Sequence, residues 1–255
     1  MPIIDLSMPL DDVVPVDPPF LRPRIDYKDH IAGLADLQAM YGILPEQLPE
    51  GKGLAAETMT VTTHAGTHVD APWHYHPTMN GGEKAWSIDE VPLDWFYRPG
   101  VKLDLRHLPN GHLVTTADID DALSRAGHEL LPYDIVLVHT VASAAYGQDD
   151  YIDTGIGFGR EATKHLTDRG VRVVGTDAWG WDMPVSIGRR IFEETGDAST
   201  VWEGHKAGAD VAYCQIEKLQ NLEALPDDGF TVACFPTKVR GASAGWTRAV
   251  AILED

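Results

Sequence analysis

The stretch HAGTHVDAPWH, residues 64–74, places three histidines and one aspartate within eleven positions. No other part of the chain concentrates metal-binding side chains so densely. The spacing of His64 and His68 would suit one face of a helix, as in the HExxH metalloproteases. Position 65, however, is alanine where that motif requires glutamate. The stretch therefore predicts a metal site of a different kind.

The residues before the motif alternate polar and β-branched types, which predicts a strand that runs into an extended loop. In an extended chain alternate side chains share a face, so His64, His68 and Asp70 would point the same way. Gly66 would leave room for an ion between them, and Pro72 would end the strand and re-aim the last histidine. Two imidazoles and one carboxylate suit Zn²⁺, Mn²⁺ or Fe²⁺ and leave coordination positions open, as in catalytic sites.

Every fixed position of the pattern HxGTHxDxPxH is present in this stretch. In this respect the chain resembles the cyclase family, which contains bacterial kynurenine formamidase and isatin hydrolase. The resemblance implies that His64, His68 and Asp70 bind a divalent metal. It also implies that His74 acts as a general acid and base.

A second stretch, residues 205–225, resembles a family segment in which a histidine is followed twelve residues later by a glutamate and then by an asparagine-leucine pair. In dinuclear members such residues, here His205 and Glu217, hold a second metal while Asp70 bridges the two ions. Other members use one ion, so the resemblance implies one or two Zn²⁺ or Mn²⁺ ions. From the residues alone, a core or surface histidine and a solvated glutamate are the simpler interpretation.

Composition limits the class of protein. The 255 residues are 44% hydrophobic and 23% charged, which is typical of a folded globule, and we expect one domain over residues 1–255. A formal charge of −19 argues against binding to nucleic acid or to an anionic membrane. Cys214 and Cys234 are expected to be reduced, buried packing residues. With neither a secretory signal nor an apolar run of about 18 residues, the sequence predicts a cytoplasmic protein without a membrane span.

The order of apolar runs predicts an α/β fold. Nearly continuous apolar runs at 134–140 and 171–177 predict strands buried on both faces of a sheet. A threonine cap, helical apolar spacing and Gly127 predict an amphipathic helix over 117–126. The family resemblance narrows the fold to a β-barrel-like mixed sheet core flanked by helices, the swivelling β/β/α type.

Two features are expected to distinguish this chain within the family. Trp73, Trp179 and Trp181 are predicted to contact a flat substrate; for Trp179 and Trp181, packing at a subunit interface is the alternative. Residues 21–57 form a segment that is longer than a minimal family member needs. We expect this insertion to form a lid, an oligomer contact or a plain surface excursion. The family usually forms dimers or tetramers, so the resemblance implies a homodimer or homotetramer.

The combined prediction is a metal-dependent hydrolase of an amide or related C–N bond in a small aromatic or cyclic substrate, of the isatin hydrolase or arylformamidase type. A lactone would suit the same chemistry. Two other classes stay open: a metal-dependent lyase or cyclase, which would act without adding water, and a non-catalytic metal-binding protein. The open three-ligand set argues against the last of these.

Overall fold

Nine of the chain's strands form one curled, mixed sheet in the computed structural model, which describes residues 1–253. In spatial order they are β1 (Ile3–Asp5), β13 (Val250–Leu253), β11 (Phe230–Ala233), β7 (Tyr97–Asp104), β8 (Ile135–His139), β9 (Val173–Thr176), β10 (Cys214–Glu217), β4 (His68–Asp70) and β12 (Ala244–Trp246). Strands β7 to β10 run parallel, whereas the remaining pairings are antiparallel. The predicted α/β fold with a barrel-like sheet is confirmed.

The central strands are buried on both faces, as their continuous apolar sequence predicts. In β8, Ile135 and Leu137 pack into one apolar cluster, and Val136 and Val138 pack into another. This division follows from the alternation of side chains along a strand. Helices flank the sheet: α2 (Pro72–Tyr75), α3 (Thr116–Ala126), α4 (Arg160–Thr167), α5 (Val185–Thr195) and α6 (Glu203–Lys206). Helix α1 (Leu34–Tyr41) lies apart from them and buries no residue.

Helix α3 is the helix that the sequence predicts over 117–126. The Thr115 side chain accepts a hydrogen bond from the Asp118 amide at its start, and Gly127 ends it with a left-handed backbone. Both cysteines are buried and neither forms a disulfide. Within residues 1–253, no helix is long and apolar enough to span a membrane.

The strand predicted before the histidine motif is present, but the predicted extended path from His64 to His68 is wrong. Strand β3 (Ala56–Thr60) pairs with β2 (Arg24–Lys28) outside the main sheet, and β4 begins only at His68. The chain turns between them, with Gly66 at a φ of +60°. A Cβ at Gly66 would lie 2.9 Å from the Leu10 side chain, so the glycine permits a tight turn rather than leaving space for an ion.

The long insertion forms an exposed arm, residues 24–60, built from β2, α1 and β3. All five residues of β3 are exposed, and α1 buries none of its residues. Isolated two-stranded sheets and eight-residue helices are only marginally stable in water. The arm therefore contributes little to the core of its own chain. A second small hairpin pairs β5 (Thr78–Met79) with β6 (Glu83–Lys84).

An ion-pair cluster around His128 makes the stability of this fold depend on pH. The imidazole Nε2 lies 2.9 Å from Asp134 Oδ2 and Nδ1 lies 3.0 Å from Asp228 Oδ2, which ties the end of α3 to the segments before β8 and β11. Burial opposes the charged form of His128, but hydrogen bonds to Asp228 and Asp134 outweigh it and raise its pKa above 6.5. This stabilisation is complete below pH 6.5 and is lost as pH rises through the folded-state pKa.

We therefore expect His128→Gln to lower the free energy of unfolding at pH 6 by about 1 kcal/mol, because solvent still screens these pairs. At pH 9 the difference from wild type should shrink. Urea unfolding at both pH values, with chelator present, measures the change. The exposed His107→Gln is the control, and an equal loss for His128→Gln at both pH values would contradict the electrostatic explanation.

Candidate metal centre

Strand pairing places the core of the histidine motif beside the second predicted stretch. In the antiparallel ladder between β4 and β10, His68 lies opposite Glu217 and Asp70 lies opposite Gln215. His68 and Asp70 are two residues apart on one strand, so they share a face, as predicted. Pro72 then begins the short helix α2 and brings His74 Nε2 to 3.7 Å from Asp70 Oδ2.

Asp70 is the centre of the cluster. Its carboxylate is fully buried, and neither oxygen has a hydrogen bond of acceptable geometry. Imidazole nitrogens nevertheless surround it: His64 Nδ1 lies 2.9 Å and His68 Nε2 lies 3.2 Å from Oδ1. On the other oxygen, His74 Nε2 lies at 3.7 Å and His205 Nε2 at 3.8 Å. Burial would raise the pKa of Asp70, but the surrounding histidines hold it well below its usual range.

Glu217 adds a second buried carboxylate. Its Oε2 lies 3.5 Å from His68 Nε2, and its Oε1 lies 3.7 Å from His205 Nε2. Burial, followed by the nearby Asp70 charge, raises the pKa of Glu217. Two buried carboxylates so close together repel each other unless a cation lies between them.

The donor atoms fall into two groups, each spanning no more than 4.8 Å, and Asp70 belongs to both. One group contains His64, Asp70 and His74, and the other contains His68, Asp70 and Glu217. His68 Nε2 is buried without a hydrogen-bond partner, like the two Asp70 oxygens. Because buried polar atoms are rarely left unpaired, these orphaned atoms fit a bound divalent cation.

Outer groups orient the histidines. His68 Nδ1 donates to the Gly66 carbonyl at 2.9 Å, and His64 Nε2 lies 2.9 Å from Ser243 Oγ. His205 Nδ1 lies 2.5 Å from Asp182 Oδ2, which leaves its Nε2 directed at Asp70 and Glu217. Such contacts fix which nitrogen of a metal-binding histidine stays free. Neither Ser243 nor Asp182 was predicted from the sequence.

Two histidines differ sharply in protonation. Burial, reinforced by the neighbouring His64 and His205, lowers the pKa of His74 to about 4, so it is neutral at pH 7. Burial also disfavours the charged form of His205, but the hydrogen bond to Asp182 and the neighbouring Asp70 and Glu217 carboxylates raise its pKa to about 10. His74 is thus unprotonated at pH 7, as a general base must be, although a pKa this low makes it a weak base. His205 carries a proton that it would have to lose in order to bind metal.

A cavity of about 210 Å³ opens onto the cluster. Its walls are mainly apolar and include Trp179, as predicted, and Trp202, which was not predicted. Trp181 does not line the cavity, because it is buried against Phe158 and its indole nitrogen donates to Thr163. Trp73 also lies outside this lining. Of the three predicted tryptophans, Trp179 therefore lines the cavity, whereas Trp73 and Trp181 do not.

A buried ion pair, also unpredicted, braces the centre. The Lys218 ammonium lies 2.5 Å from Asp17 Oδ1 and donates to the His64 carbonyl at 2.8 Å. The Lys218 carbonyl accepts a hydrogen bond from Thr67 Oγ1 at 2.7 Å, and the Trp179 indole nitrogen also donates to Asp17. Lys218 thus joins the segment after Glu217 to both ends of the turn that carries His64.

We expect the double variant Asp17→Asn/Lys218→Met to bind Zn²⁺ or Mn²⁺ about 10- to 100-fold more weakly than wild type, as is typical when outer-shell support is lost. Removing both members leaves the net charge near the ions unchanged, so the loss reports positioning rather than electrostatic attraction. Competition with a chromogenic chelator measures the affinity without relying on catalysis.

Lys102 offers a matched control, because it is also buried but donates to the Leu225 carbonyl, away from the centre. Lys102→Met should lower stability and leave metal affinity unchanged. Equal metal affinity in wild type and the double variant would show that the Asp17–Lys218 pair does not position the ligands.

Comparisons with known proteins identify sequence relatives of this chain. The Cyclase family model matches residues 4–183. Kynurenine formamidase from Salinibacter ruber is 27% identical over 194 residues, which cover 76% of this chain and 77% of that protein. Kynurenine formamidase from Sphingopyxis alaskensis is 25% identical over 248 residues, covering 97% and 96%.

Solved structures share the fold. Isatin hydrolase A from Labrenzia aggregata, bound to benzyl benzoate, has a TM-score of 0.75 at 23% identity, with 100% of this chain and 94% of that chain covered. A structure described as a potential metal-dependent hydrolase with cyclase activity has a TM-score of 0.65 at 22% identity, covering 100% and 98%. Because the family model spans well over half of the sequence and includes the complete histidine motif, this chain belongs to the cyclase family.

Proposed function

We propose that this protein is a metal-dependent hydrolase that opens a C–N amide bond in a small, uncharged cyclic substrate of the isatin type. The observation that carries the proposal is the buried Asp70 carboxylate, which lacks hydrogen bonds and is surrounded by imidazoles, three of which (His64, His74 and His205) line an apolar cavity. Similarity to kynurenine formamidases and to isatin hydrolases supports hydrolysis as the reaction class.

The charges around the cavity favour a neutral substrate. Among the described residues that line it, Lys218 is the only lysine or arginine, and Asp17 already pairs with it. Apart from the proposed metal ion and His205, which pairs with Asp182, a zwitterionic substrate such as N-formylkynurenine would find no free cation for its carboxylate on this lining. Burial of an unpaired charge is costly, so a cyclic amide fits this cavity better.

The site residues have separate roles in the proposed reaction. The ligand set that the family resemblance implies is His64, His68 and Asp70, with Glu217 and His205 available for a second ion, whereas the closest donor groups pair His64 with His74 and His68 with Glu217, each with Asp70. A divalent ion held there would lower the pKa of water toward neutrality and polarise the substrate carbonyl. His74, neutral at pH 7, accepts the proton of the attacking water and returns it to the leaving nitrogen. A C–O bond forms at the carbonyl carbon, the C–N bond breaks, and the product carboxylic acid releases a proton.

We also propose that the protein works as a homodimer or homotetramer. The exposed arm, residues 24–60, packs little against its own chain, and such elements need contacts in order to be stable. A second copy is the partner that the family resemblance implies. Light scattering that shows a monomer would contradict this assembly.

The function is tested with a pH indicator. Protein loaded with Zn²⁺ or Mn²⁺ is mixed with isatin, N-formylkynurenine, aryl lactones or esters. We expect acid release from isatin that chelator abolishes, and much weaker release from N-formylkynurenine. Ring opening or closure without incorporation of ¹⁸O from labelled water would identify a lyase or cyclase instead. If metal-loaded protein releases acid from none of these compounds, the proposed reaction class is contradicted.

We expect His74→Gln to lower kcat about 10²- to 10⁴-fold, the usual contribution of a general acid or base. Bound metal, measured by elemental analysis, should stay near the wild-type level, whereas Asp70→Asn should lose metal as well. His76→Gln is the control, because His76 is exposed and contacts Thr78 rather than the cluster. Loss of metal from His74→Gln would make His74 a ligand, and retained activity would remove it from catalysis.

A further inference from the structure

A second cavity lies directly beside the substrate cavity. This side pocket has a volume of about 270 Å³. Its lining is Asp182, Met183, Val185, Gly188, Arg189, Phe192, Thr200, Val201 and Trp202. Four of these residues, Asp182, Met183, Val185 and Trp202, also line the substrate cavity. The two spaces are therefore adjoining and share one wall.

Trp202 forms the aromatic part of that wall. Its ring stacks on His205 with centroids 5.3 Å apart, and it lies 6.0 Å from the His74 ring. The backbone of Trp202 is left-handed, with a φ of 57°, which is unfavourable for a bulky residue. Asp182 holds the chain just beyond it by accepting hydrogen bonds from the Gly204 and His205 amides. The same carboxylate that orients His205 thus fixes the wall between the cavities.

Gly188 keeps the side pocket open. It lies inside helix α5 (Val185–Thr195), where glycine lowers helix stability relative to alanine. Apart from its two chain neighbours and the backbone of its own helix, no atom lies within 4 Å of the position that a Cβ at Gly188 would take, so close packing does not explain the glycine. Gly204 is different, because a Cβ there would collide with the Phe158 carbonyl oxygen. The missing side chain at Gly188 therefore leaves free volume rather than relieving a clash.

The chemistry of the lining indicates what would fill this volume. Met183, Val185, Phe192, Val201 and Trp202 provide apolar surface, and Val185, Phe192 and Trp202 are each more than two-fifths exposed. The one permanent cation on the lining, Arg189, already pairs with Glu193 at 2.7 Å. A cavity of about 150 Å³ is enough for benzene, so the side pocket has room for a phenyl group or a short alkyl chain.

We propose that the side pocket binds an apolar substituent of the substrate, so that the preferred substrate is a cyclic amide that carries an alkyl or aryl group rather than the bare bicyclic ring. This inference rests on the proposed function for its reacting group. Because the two cavities share lining residues, among them Val185 and Trp202, the apolar lining lies next to a substrate held at the metal centre.

The test compares isatin with isatins that carry one n-butyl group at each ring position in turn. Each buried methylene contributes about fourfold, so wild type should prefer the best butyl derivative by at least about tenfold in kcat/KM. Gly188→Leu should fill the side pocket and lower this preference by at least about tenfold. Gly188→Ala is the matched control: it gives the same kind of helix stabilisation but leaves most of the volume, so it should keep the preference.

A binding measurement makes the test independent of hydrolysis. Calorimetric titration with n-butylbenzene should show binding to wild type and Gly188→Ala, and at least tenfold weaker binding to Gly188→Leu. Phe192→Trp is a second filling variant in case Gly188→Leu does not fold. If n-butylbenzene binds wild type and Gly188→Ala more tightly than Gly188→Leu but no amide is hydrolysed, the side pocket is confirmed as an apolar binding site and the proposed function is wrong.

Two results would overturn the inference. One is the absence of any preference for butyl derivatives, with Gly188→Leu and Gly188→Ala binding n-butylbenzene equally. The other is dissociation of an oligomer by Gly188→Leu, seen in light scattering, with unchanged n-butylbenzene binding. That second result would mean that another copy of the chain, and not the substrate, covers this apolar surface.

Discussion

The buried carboxylate of Asp70 is the constraint on which the site depends. Removing a negative charge from water is expensive unless opposite charge or hydrogen bonds replace the lost solvation. At Asp70 the replacement comes from imidazoles and from the capacity to hold a cation, since no hydrogen bond of acceptable geometry reaches either oxygen. The sheet secures this position by pairing the strand of Asp70 on both sides, with β10 and with β12.

As a consequence, each charged group around the centre faces a group or a site of opposite charge. Asp70 and Glu217 face the space where a cation fits, Asp182 supports His205 from behind, and Asp17 neutralises Lys218. Apart from the histidines, carboxylates outnumber cations here, in keeping with an overall formal charge of −19. The arrangement favours binding of a divalent cation and leaves the cavity itself without a free positive group.

Much of this site could be predicted from sequence, because its ligands lie in two short segments with fixed spacing. Alternation of side chains along a strand correctly predicted that His68 and Asp70 share a face. Pro72 correctly predicted a change of chain direction that turns His74 toward them. The alternation did not apply at His64, because the chain turns at Gly66, where φ is +60° and the Leu10 side chain packs closely. Asp17, Asp182 and Ser243 could not be assigned, because only the folded chain brings them to the histidines. For Lys218, the only indication in the sequence is that a charged residue follows an apolar strand.

The exposed arm enters and leaves the fold at the rim of the substrate cavity, for Leu21 and Thr62 both line that cavity. Its helix and hairpin contribute no buried helix residue and no strand to the main sheet. Evolution can therefore lengthen, shorten or replace this segment without disturbing the core or the metal ligands. Each replacement would remodel the entrance that a substrate passes. Diversity of substrates within one scaffold can then arise by exchange of a module that the fold itself does not require.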